Sequence, residues 1–414
     1  MPYPELRKLY YGDEAAYAAE YAQRVASPDT VKLNLQINGK QAFFVETTEV
    51  LRLVRDIERL DKEVRKLRME LPEIAALQYT VHCLIGEIVL TNQIEGVHSS
   101  RKEIGEVLRI LAKQSEQKGK RPRMAGLVKK YRKLLAEEEI QLQSCQDIRD
   151  IYDELFLDEV LKENPDSGPD GEIFRKDSVT VYSGTGKEIH QGLYPEKNII
   201  ETMTQALNFL HDESVDILYR ICLFHYLVEY IHPFYDGNGR LGRFILSYGI
   251  SRTLEPLLAY RISEVIKADI HAYYEAFQTC NDPHELGDLT PFLLMQLRML
   301  RAAAEKLRDA LRERSIRWNR YQALIPGLPG AEADRRLKDL YELLIQAALF
   351  SENGISTAEL IEVVGVSYQT VQKLLDRIPP ELLSAEKKGK IKYYQLNLQP
   401  LDDMLLKAAT ESAE

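Results

Sequence analysis

The stretch IHPFYDGNGRLGR, residues 231–243, places one histidine, one acid, a Gly-Asn-Gly and two arginines close together. The preceding residues, 217–231, are apolar nearly all round, which predicts a buried helix that delivers His232 at its end. Pro233 disfavours a helical conformation for the residue before it, and Phe234 is expected to anchor the loop in the core. A helical fold organised around one special turn is therefore predicted.

The glycines of this stretch indicate an anion site. Gly237 and Gly239 allow backbone conformations that side chains forbid, and they leave amide N–H groups uncovered. A helix that begins near Gly239 presents unpaired donors at its positive end, where anions bind. Arg240 and Arg243 share a face of its first turn. Positive side chains at that end oppose the helix dipole, so the pattern makes most sense if a polyanion supplies negative charge.

Two further side chains extend this prediction. Asp236 lies beside the anion site, where a carboxylate is repelled unless a cation intervenes, and Mg²⁺ held by one carboxylate plus phosphate oxygens is the usual solution. His232 is a candidate general base, because imidazole titrates near neutral pH. The residues predict a site for a Mg²⁺-bound polyphosphate beside a base. A glycine-rich surface turn capped by Asp236 explains each residue singly but not all of them at this spacing.

The pattern along the whole chain is mainly α-helical, and a length of 414 residues suggests two or three domains. Alternating residues around an Asn-Gly pair predict a hairpin at 30–46, and a second hairpin is predicted at 178–194, turning at Gly184, Thr185 and Gly186. The predicted order is an N-terminal hairpin with helices, a helical core, a linker containing IPGLPG and a C-terminal domain, at residues 1–75, 76–322, 323–333 and 334–400.

Composition narrows the class of protein. The chain is 45% hydrophobic and 29% charged, which is ordinary for a globular protein, and its net charge of −10 argues against a general nucleic-acid coat. The four cysteines are scattered without a CxxC pair, so neither a disulfide framework nor a zinc knuckle is predicted. The N-terminus does not resemble a signal peptide, and no apolar run approaches eighteen residues. We expect a cytoplasmic protein without a membrane span.

Residues 232–243 resemble the signature of the Fic family, His-x-Phe-x-Asp/Glu-Gly-Asn-Gly-Arg-x-x-Arg, and match it at every specified position. The resemblance covers roughly residues 80–300. It includes the hairpin at 178–194 and the stretch DLTPFLLMQL from Asp288, which is similar to the helix that closes the family core. It implies a helical core with a β-hairpin flap, and transfer of AMP from ATP to a Ser, Thr or Tyr hydroxyl of a protein, the enzyme itself included.

The resemblance also implies a role for each signature residue. His232 would deprotonate the attacking hydroxyl, and Asp236 would hold Mg²⁺ between the α- and β-phosphates. The flap would hold the target segment as an added strand. The remaining phosphate contacts are implied for five residues: Gly237, Asn238 and Gly239 as an anion hole, Arg240 for the β-phosphate and Arg243 for the γ-phosphate.

A second stretch, TNQIEG at residues 91–96, has two interpretations. Taken alone it is the frayed end of a helix capped by Gly96. Beside a Fic signature it resembles the family's inhibitory motif, Ser/Thr-x-x-x-Glu-Gly/Asn, at Thr91, Glu95 and Gly96. That resemblance places the chain in the class with an N-terminal inhibitory helix. It implies that Glu95 pairs with Arg243 in the space that the γ-phosphate needs, so that the resting enzyme is nearly silent.

The C-terminal block predicts a winged helix-turn-helix. Residues 356–378 are predicted to form two helices with a turn at Gly365, and residues 382–397 alternate like a wing around Lys388 and Gly389. Leu360, Val363, Val366, Val371 and Leu374 are the predicted core of the helix pair. DNA contacts are predicted for outward-facing residues of the second helix and of the wing: Ser367, Tyr368, Gln369, Lys388 and Lys390. Winged helices also dock proteins or form dimers, so that alternative stays open.

Two alternative functions remain beside AMP transfer. The same site could run in reverse, with Glu95 positioning a water and His232 acting as general acid to remove AMP from a protein. The chain could also be a DNA-binding regulator whose Fic core senses a nucleotide. The expected partners are ATP and a target protein, and a homodimer is left open.

Overall fold

The computed structural model describes residues 3–113, 123–136, 138–182, 188–389 and 391–411. The chain divides into two compact units. The first unit combines Met1–Asp61 with Ile85–Glu305, and the second combines Lys62–Leu84 with Lys306–Glu414. Both are mainly helical, as the sequence predicted. The domain boundaries proposed from the sequence remain predictions.

The first unit contains eleven α-helices and four strands among the described residues, and three further helices cross its boundaries. Its own elements are α1 Leu6–Gly12, α2 Glu14–Ala26, β1 Thr30–Ile37, β2 Lys40–Val45, α5 Arg101–Lys113, α6 Ala125–Leu135, α7 Cys145–Tyr152, α8 Asp158–Glu163, β3 Thr180–Tyr182, β4 Glu188–Gln191, α9 Glu196–Leu210, α10 Ile217–Ile231, α11 Asn238–Thr253, α12 Ile262–Ala268 and α13 Ile270–Asn281. The three crossing helices are α3 Thr48–Met69, α4 Glu73–Ile94 and α14 Thr290–Leu324. A π-helical turn, Asp153–Leu157, joins α7 to α8, and short 3₁₀ turns occur at Pro165–Ser167, Pro256–Tyr260 and Pro283–Glu285.

The N-terminal hairpin forms where the sequence predicted it. Strands β1 and β2 are antiparallel, and Asn38 and Gly39 turn between them with φ of 49° and 73°, the left-handed values that an Asn-Gly turn adopts. Strand β2 is fixed to the start of α14, because the Phe43 N–H donates to the Gly287 carbonyl and the Leu289 N–H donates to the Phe43 carbonyl. The hairpin is therefore part of the first unit.

The C-terminal part of the second unit consists of α15 Arg335–Phe350, β5 Ile355–Ser356, α16 Thr357–Val364, α17 Tyr368–Leu375, β6 Leu383–Lys388, β7 Ile391–Leu396 and α18 Gln399–Glu411. A 3₁₀ turn, Ile325–Gly327, precedes these elements. The strands form one antiparallel sheet in the order β5-β7-β6. This is the predicted order of helix pair and hairpin, with Gly365 in the left-handed region between the helices. The assignment as a winged helix remains a prediction.

The predicted core of that helix pair is partly wrong. Leu360, Val371 and Leu374 are buried, as expected. Val363, however, is 42% exposed, because it lies in the final turn of the short helix α16 and extends to solvent there. Val366, in the turn between the helices, is only half-buried.

Two buried helices form the centre of the first unit. Twelve of the fifteen residues of α10 are buried, as its all-round apolar sequence predicted, and α11 packs directly against it. The flap strands β3 and β4 pair antiparallel with Val181 opposite His190. Strand β4 is tied to α10 because the His190 ring bonds the Tyr230 carbonyl at 2.7 Å. The turn predicted at Gly184, Thr185 and Gly186 lies outside the described residues.

One helix in the described part of the chain, Glu73–Ile94, is long and apolar enough to cross a membrane, and 56% of its apolar window is buried inside the protein. That burial is the pattern of a core helix, and helices of this kind in soluble proteins satisfy the same criteria of length and composition. The expectation that the chain has no membrane span remains a prediction.

Phe234 anchors the turn between α10 and α11. Its side chain is fully buried, and its ring stacks on Tyr152 with centroids 3.6 Å apart and planes 7° apart. Phe174 meets the same ring edge-on at 5.5 Å. The sequence-based assignment of Phe234 as an anchor agrees with this packing.

Replacement of this anchor should destabilise the protein strongly. We expect Phe234→Ala to lower the free energy of unfolding by about 3–5 kcal/mol, because it removes a large buried ring and leaves a cavity. Tyr11→Ala is the control, since Tyr11 is 76% exposed, and we expect it to cost less than about 0.5 kcal/mol. Urea denaturation followed by circular dichroism measures both changes. Equal midpoints for the two variants would contradict the anchor role.

Candidate active site

The turn between α10 and α11 is closed by a side chain of its own. The Asn238 amide accepts a hydrogen bond from the Phe234 N–H at 3.0 Å and donates one to the Phe234 carbonyl at 2.8 Å. At the start of the turn, His232 adopts a left-handed conformation with φ of 52°. The Asn238 side chain thus serves the turn itself, and what this residue can offer to a ligand is its backbone N–H.

Gly237 is favoured by its backbone conformation, and Gly239 by the side chain beside it. Gly237 has φ of 82° and precedes the first residue of α11. At Gly239, a Cβ atom would lie only 2.3 Å from Oε1 of Glu95. Any side chain at Gly239 would therefore displace the Glu95 carboxylate. The amide groups of the first turn of α11 have no intrahelical partners, which leaves a donor-rich end beside this acid.

His232 is half-buried and lines a cavity of about 680 Å³. Burial lowers the pKa of the His232 ring to about 3, and the nearby His190 and Arg175 lower it further. The imidazole is therefore neutral at physiological pH. A neutral ring at the wall of a cavity has a lone pair that can accept a proton, as a general base needs. Its pKa nevertheless lies far below the near-neutral value expected from the sequence, because burial disfavours the charged ring, so His232 is a weak base in this state of the protein.

The predicted pair of Glu95 and Arg243 is present in the same cavity. The Arg243 Nη2 lies 2.7 Å from Oε1 of Glu95, and the Arg243 Nε donates to the Thr91 hydroxyl at 2.9 Å. Arg243 is 1% exposed and the Glu95 side chain is 33% exposed. Burial acts to lower the pKa of Arg243, but Glu95, Tyr273 and Glu229 together outweigh it and raise that pKa above its ordinary value. Gly96 ends the segment with φ of 72°.

Sequence reasoning missed a second acid beside this pair. Glu229 lines the cavity, and its Oε1 is buried without a hydrogen-bond partner among the described residues. Burial and the charge of Glu95 raise the pKa of Glu229 to about 8, against the opposing effect of Arg243. The carboxyl group is therefore largely protonated at neutral pH, and Glu95 supplies the negative charge that Arg243 meets.

Arg240 does not line the cavity that contains His232 and Arg243. Its Nη1 instead lies 3.1 Å from Oε1 of Glu159 on α8, and its guanidinium carbon lies 4.8 Å from the centroid of the Phe156 ring. The sequence assigned Arg240 to a phosphate and provided no sign of Glu159, which lies 81 positions upstream.

Asp236 is exposed, and its Oδ1 accepts a hydrogen bond from the Gly237 N–H at 2.6 Å. Within the described ranges no group of three His, Cys, Asp or Glu side chains converges on a common point. A single accessible carboxylate fits a cation that takes most of its ligands from a substrate's phosphates and from water. The donor set is therefore compatible with Mg²⁺ brought by a nucleotide.

Arg175 is a further residue that the sequence did not indicate. It is fully buried, and its side chain donates to the carbonyls of His232 and Leu193, at 2.9 Å each, and to that of Asp177. Its own N–H donates to the Pro233 carbonyl at 3.2 Å. Arg175 therefore braces the His232 turn against the segment that leaves the flap. The sequence carries no periodic or spacing signal for this role.

The predicted DNA contacts lie in the second unit. Ser367 caps α17 by accepting from the Thr370 N–H, Tyr368 is 58% exposed, and Gln369 is exposed. The Lys388 amine is already engaged, since it lies 3.1 Å from Glu386 and donates to the Asn353 side chain at 2.6 Å. Lys390 lies outside the described residues. The contacts of these residues with DNA remain predictions.

Comparisons with known proteins agree with the signature. A model of the Fic/DOC family matches residues 143–248, which include the turn but not the stretch at 91–96. Protein adenylyltransferase fic-1 of Caenorhabditis elegans is 26% identical over 186 residues, covering 42% of this chain and 33% of that protein. Protein adenylyltransferase Fic of Nematostella vectensis is 32% identical over 116 residues, covering 27% and 25%. The chain thus spans a third or less of the length of these relatives.

A solved structure supports the fold. The crystal structure of a Fic family protein from Desulfovibrio desulfuricans G20 is similar with a TM-score of 0.50 at 21% identity, and the match covers 85% of this chain and 96% of that one. The predicted Fic-type helical fold is therefore confirmed.

The low pKa of His232 is directly measurable. We expect the ring resonances of His232 to show no titration step near pH 6.5 in an NMR titration from pH 8 to 5, because burial disfavours the charged form. The spectrum of His232→Gln assigns the signal by its absence. A step at pH 6 or above would show that the ring is solvated and would contradict the neutral-base geometry.

Proposed function

Because residues 143–248 match a model of the Fic/DOC family, we propose that this chain is a protein adenylyltransferase held inactive by its own Glu95. The observation that carries the proposal is that a neutral His232 lines the same cavity as the ion pair of Glu95 and Arg243. The relatives named as adenylyltransferases support the reaction class.

In the proposed reaction, His232 accepts the proton of a Ser, Thr or Tyr hydroxyl on the target protein. The hydroxyl oxygen then bonds to the α-phosphorus of ATP, and the bond from that phosphorus to the bridging oxygen breaks, so that pyrophosphate leaves. Arg175 keeps the His232 turn in place. Phosphoryl-type transfer depends mainly on positioning and charge stabilisation, which a braced turn beside a donor-rich helix end provides.

The remaining signature residues receive the phosphates in this proposal. The backbone of Gly237, Asn238 and Gly239 forms the anion hole, and Arg240 and Arg243 bind the β- and γ-phosphates. Asp236 would hold Mg²⁺, which neutralises phosphate charge when bound. Since the Gly237 N–H already bonds Asp236, the amides of the two following residues are the more accessible donors.

Autoinhibition is proposed from the position of Glu95. Its carboxylate neutralises Arg243 at 2.7 Å and is packed against Gly239. A γ-phosphate at Arg243 would meet this negative charge. ATP would therefore bind with its α-phosphate out of line with the hydroxyl.

Reversal of the reaction is an alternative that the same cavity allows. Glu95 is one-third exposed and lines the cavity with His232, so it could orient a water that releases AMP from a modified protein. Release of AMP from a modified target, lost on Glu95→Gly, would favour this direction.

The proposal also covers the second unit and the location of the protein. The order of elements supports a winged helix, and the exposed start of α17 supports a docking role for it. Its ligand in this proposal is a protein, and DNA binding by a regulator with a nucleotide-sensing core remains the alternative. The four cysteines are buried thiols, which fits the proposed cytoplasmic location. A homodimer remains a prediction.

The central prediction is that Glu95→Gly turns activity on. We expect labelling of the protein itself by α-labelled ATP to rise by about tenfold or more, which corresponds to about 1.4 kcal/mol. The change frees Arg243 and removes a negative charge beside the nucleotide.

Two further variants test the reason for this activation. Glu95→Gly with Arg243→Ala should be inactive, because the freed arginine aligns ATP. Glu95→Gly with His232→Ala should lose about 10²–10⁴-fold in rate. If Glu95→Gly stays silent with ATP, repeating the assay with labelled GTP, UTP and CTP distinguishes a wrong donor from a wrong inhibitory role.

The metal assignment makes a separate prediction. In the Glu95→Gly background, Asp236→Asn should raise the Mg²⁺ concentration needed for half-maximal labelling, because the amide keeps the shape of the turn but lacks the charge. Labelling across a Mg²⁺ titration measures this. An unchanged Mg²⁺ requirement would place the cation elsewhere.

A further inference from the structure

We propose that Glu159 is a second internal competitor of the nucleotide, which withholds Arg240 from the β-phosphate as Glu95 withholds Arg243 from the γ-phosphate. This inference rests on the proposed function and adds a residue from a different helix. Each arginine of the turn would then be held by its own carboxylate in the resting protein. Release of Glu95 alone would leave the second restraint in place.

The contact between Arg240 and Glu159 is withdrawn from water. The two side chains are 2% and 12% exposed, and their charged atoms lie 3.1 Å apart. The Phe156 ring covers the guanidinium at 4.8 Å. Charges attract more strongly where water is excluded, so Glu159 is an effective stand-in for an anionic ligand.

Glu159 also leaves hydrogen-bond donors of Arg240 unused, which favours its replacement by a phosphate. Arg240 uses one nitrogen for Glu159, and its Nε is buried without a partner in the described part of the chain. A guanidinium has five N–H donors, and phosphate oxygens can accept several of them at once. A β-phosphate would therefore satisfy Arg240 better than the single Glu159 oxygen does.

The direction in which Arg240 extends shows whether Glu159 competes with a phosphate or orients Arg240 towards it. Gly239 and Arg243 line the His232 cavity, whereas Arg240 does not. Arg240 faces α8 instead, so it must leave Glu159 before it can reach a phosphate in the cavity. A carboxylate that merely oriented Arg240 for the reaction would hold it towards the cavity.

The segment that carries Glu159 is suited to movement. Glu159 lies in the first turn of α8, which has six residues and follows the π-helical turn Asp153–Leu157. Such turns break the regular hydrogen-bond ladder and are frequent at functional sites. Tyr152, which stacks on Phe234, lies before this irregular turn. The π-helical turn therefore lies between Glu159 and Tyr152, so Glu159 can move without displacing the packing of Tyr152 on Phe234.

Binding of three nucleotides to the full chain tests the inference. With Mg²⁺ present, isothermal titration calorimetry should show that Glu159→Gln tightens binding of ADP and ATP by about tenfold, which corresponds to about 1.4 kcal/mol. Binding of AMP should change by less than about twofold, because AMP has no β-phosphate to meet Arg240. Glu163→Gln is the matched control, since it removes the same charge from an exposed position on the same helix and should change neither.

A double variant tests whether the gain in binding depends on Arg240, and thermal unfolding checks that the variant is folded. Glu159→Gln with Arg240→Gln should lose the gain for ADP, provided that thermal unfolding shows an intact protein. In the Glu95→Gly background, Glu159→Gln should raise labelling above that of Glu95→Gly alone.

The outcomes separate this inference from the proposed function. Weaker ADP binding in Glu159→Gln would show that Glu159 positions Arg240 and would overturn competition, as would equal gains for AMP and ADP. Selective ADP tightening with no labelling in any variant would support competition while the transfer reaction fails. Labelling by Glu95→Gly with no effect of Glu159→Gln on binding would overturn the inference alone. If no variant binds a nucleotide, both fail.

Discussion

The two hydrogen bonds between the Asn238 side chain and the Phe234 backbone are the constraint on which the rest of the site depends. They close the turn so that α10 delivers His232 at one end while α11 delivers Arg240 and Arg243 at the other. The closed turn also places the Phe234 ring against Tyr152. A base and two cations can be held at fixed separation in this way because a rigid turn joins two buried helices.

Two buried arginines on consecutive turns of one helix each require a negatively charged partner. A buried charge without a partner is costly, and this cost exceeds that of most lost contacts. Two carboxylates from distant parts of the chain pair with these arginines: Glu95, in the turn that follows α4, with Arg243, and Glu159, on α8, with Arg240. In the proposed function the nucleotide brings the replacement anions. The same two ion pairs would then stabilise the resting protein and oppose the binding of ATP.

Neutral groups complete the arrangement around these charges. Burial lowers the pKa of His232 to about 3 and raises that of Glu229 to about 8, so both are uncharged at pH 7. A charged imidazole would be repelled by the nearby Arg175 and could not accept a proton. Burial therefore keeps the His232 ring and the Glu229 carboxyl group neutral, and it leaves Glu95 as the charged partner of Arg243.

Local rules made much of the fold predictable. The hairpin around Asn38 and Gly39 follows from turn chemistry, and the burial of α10 follows from its apolar sequence. The pairing of Glu95 with Arg243 was also predicted, but only because both stretches resemble motifs of one family. Val363 shows the limit of periodicity, since the pattern of a short helix does not show where its packed face ends.

The sequence by itself therefore determined the helical class and the turn at residues 232–239, and it indicated His232 as the candidate base and the two arginines as candidate phosphate ligands. These depend on residue type and spacing along a few turns of chain. Only the tertiary structure decided that Arg175 braces the turn, that Glu229 stays protonated and that Arg240 meets Glu159. Such contacts join residues far apart along the chain, 81 positions for Arg240 and Glu159. They depend on burial and on distances between helices, which the spacing of residues along the chain does not specify.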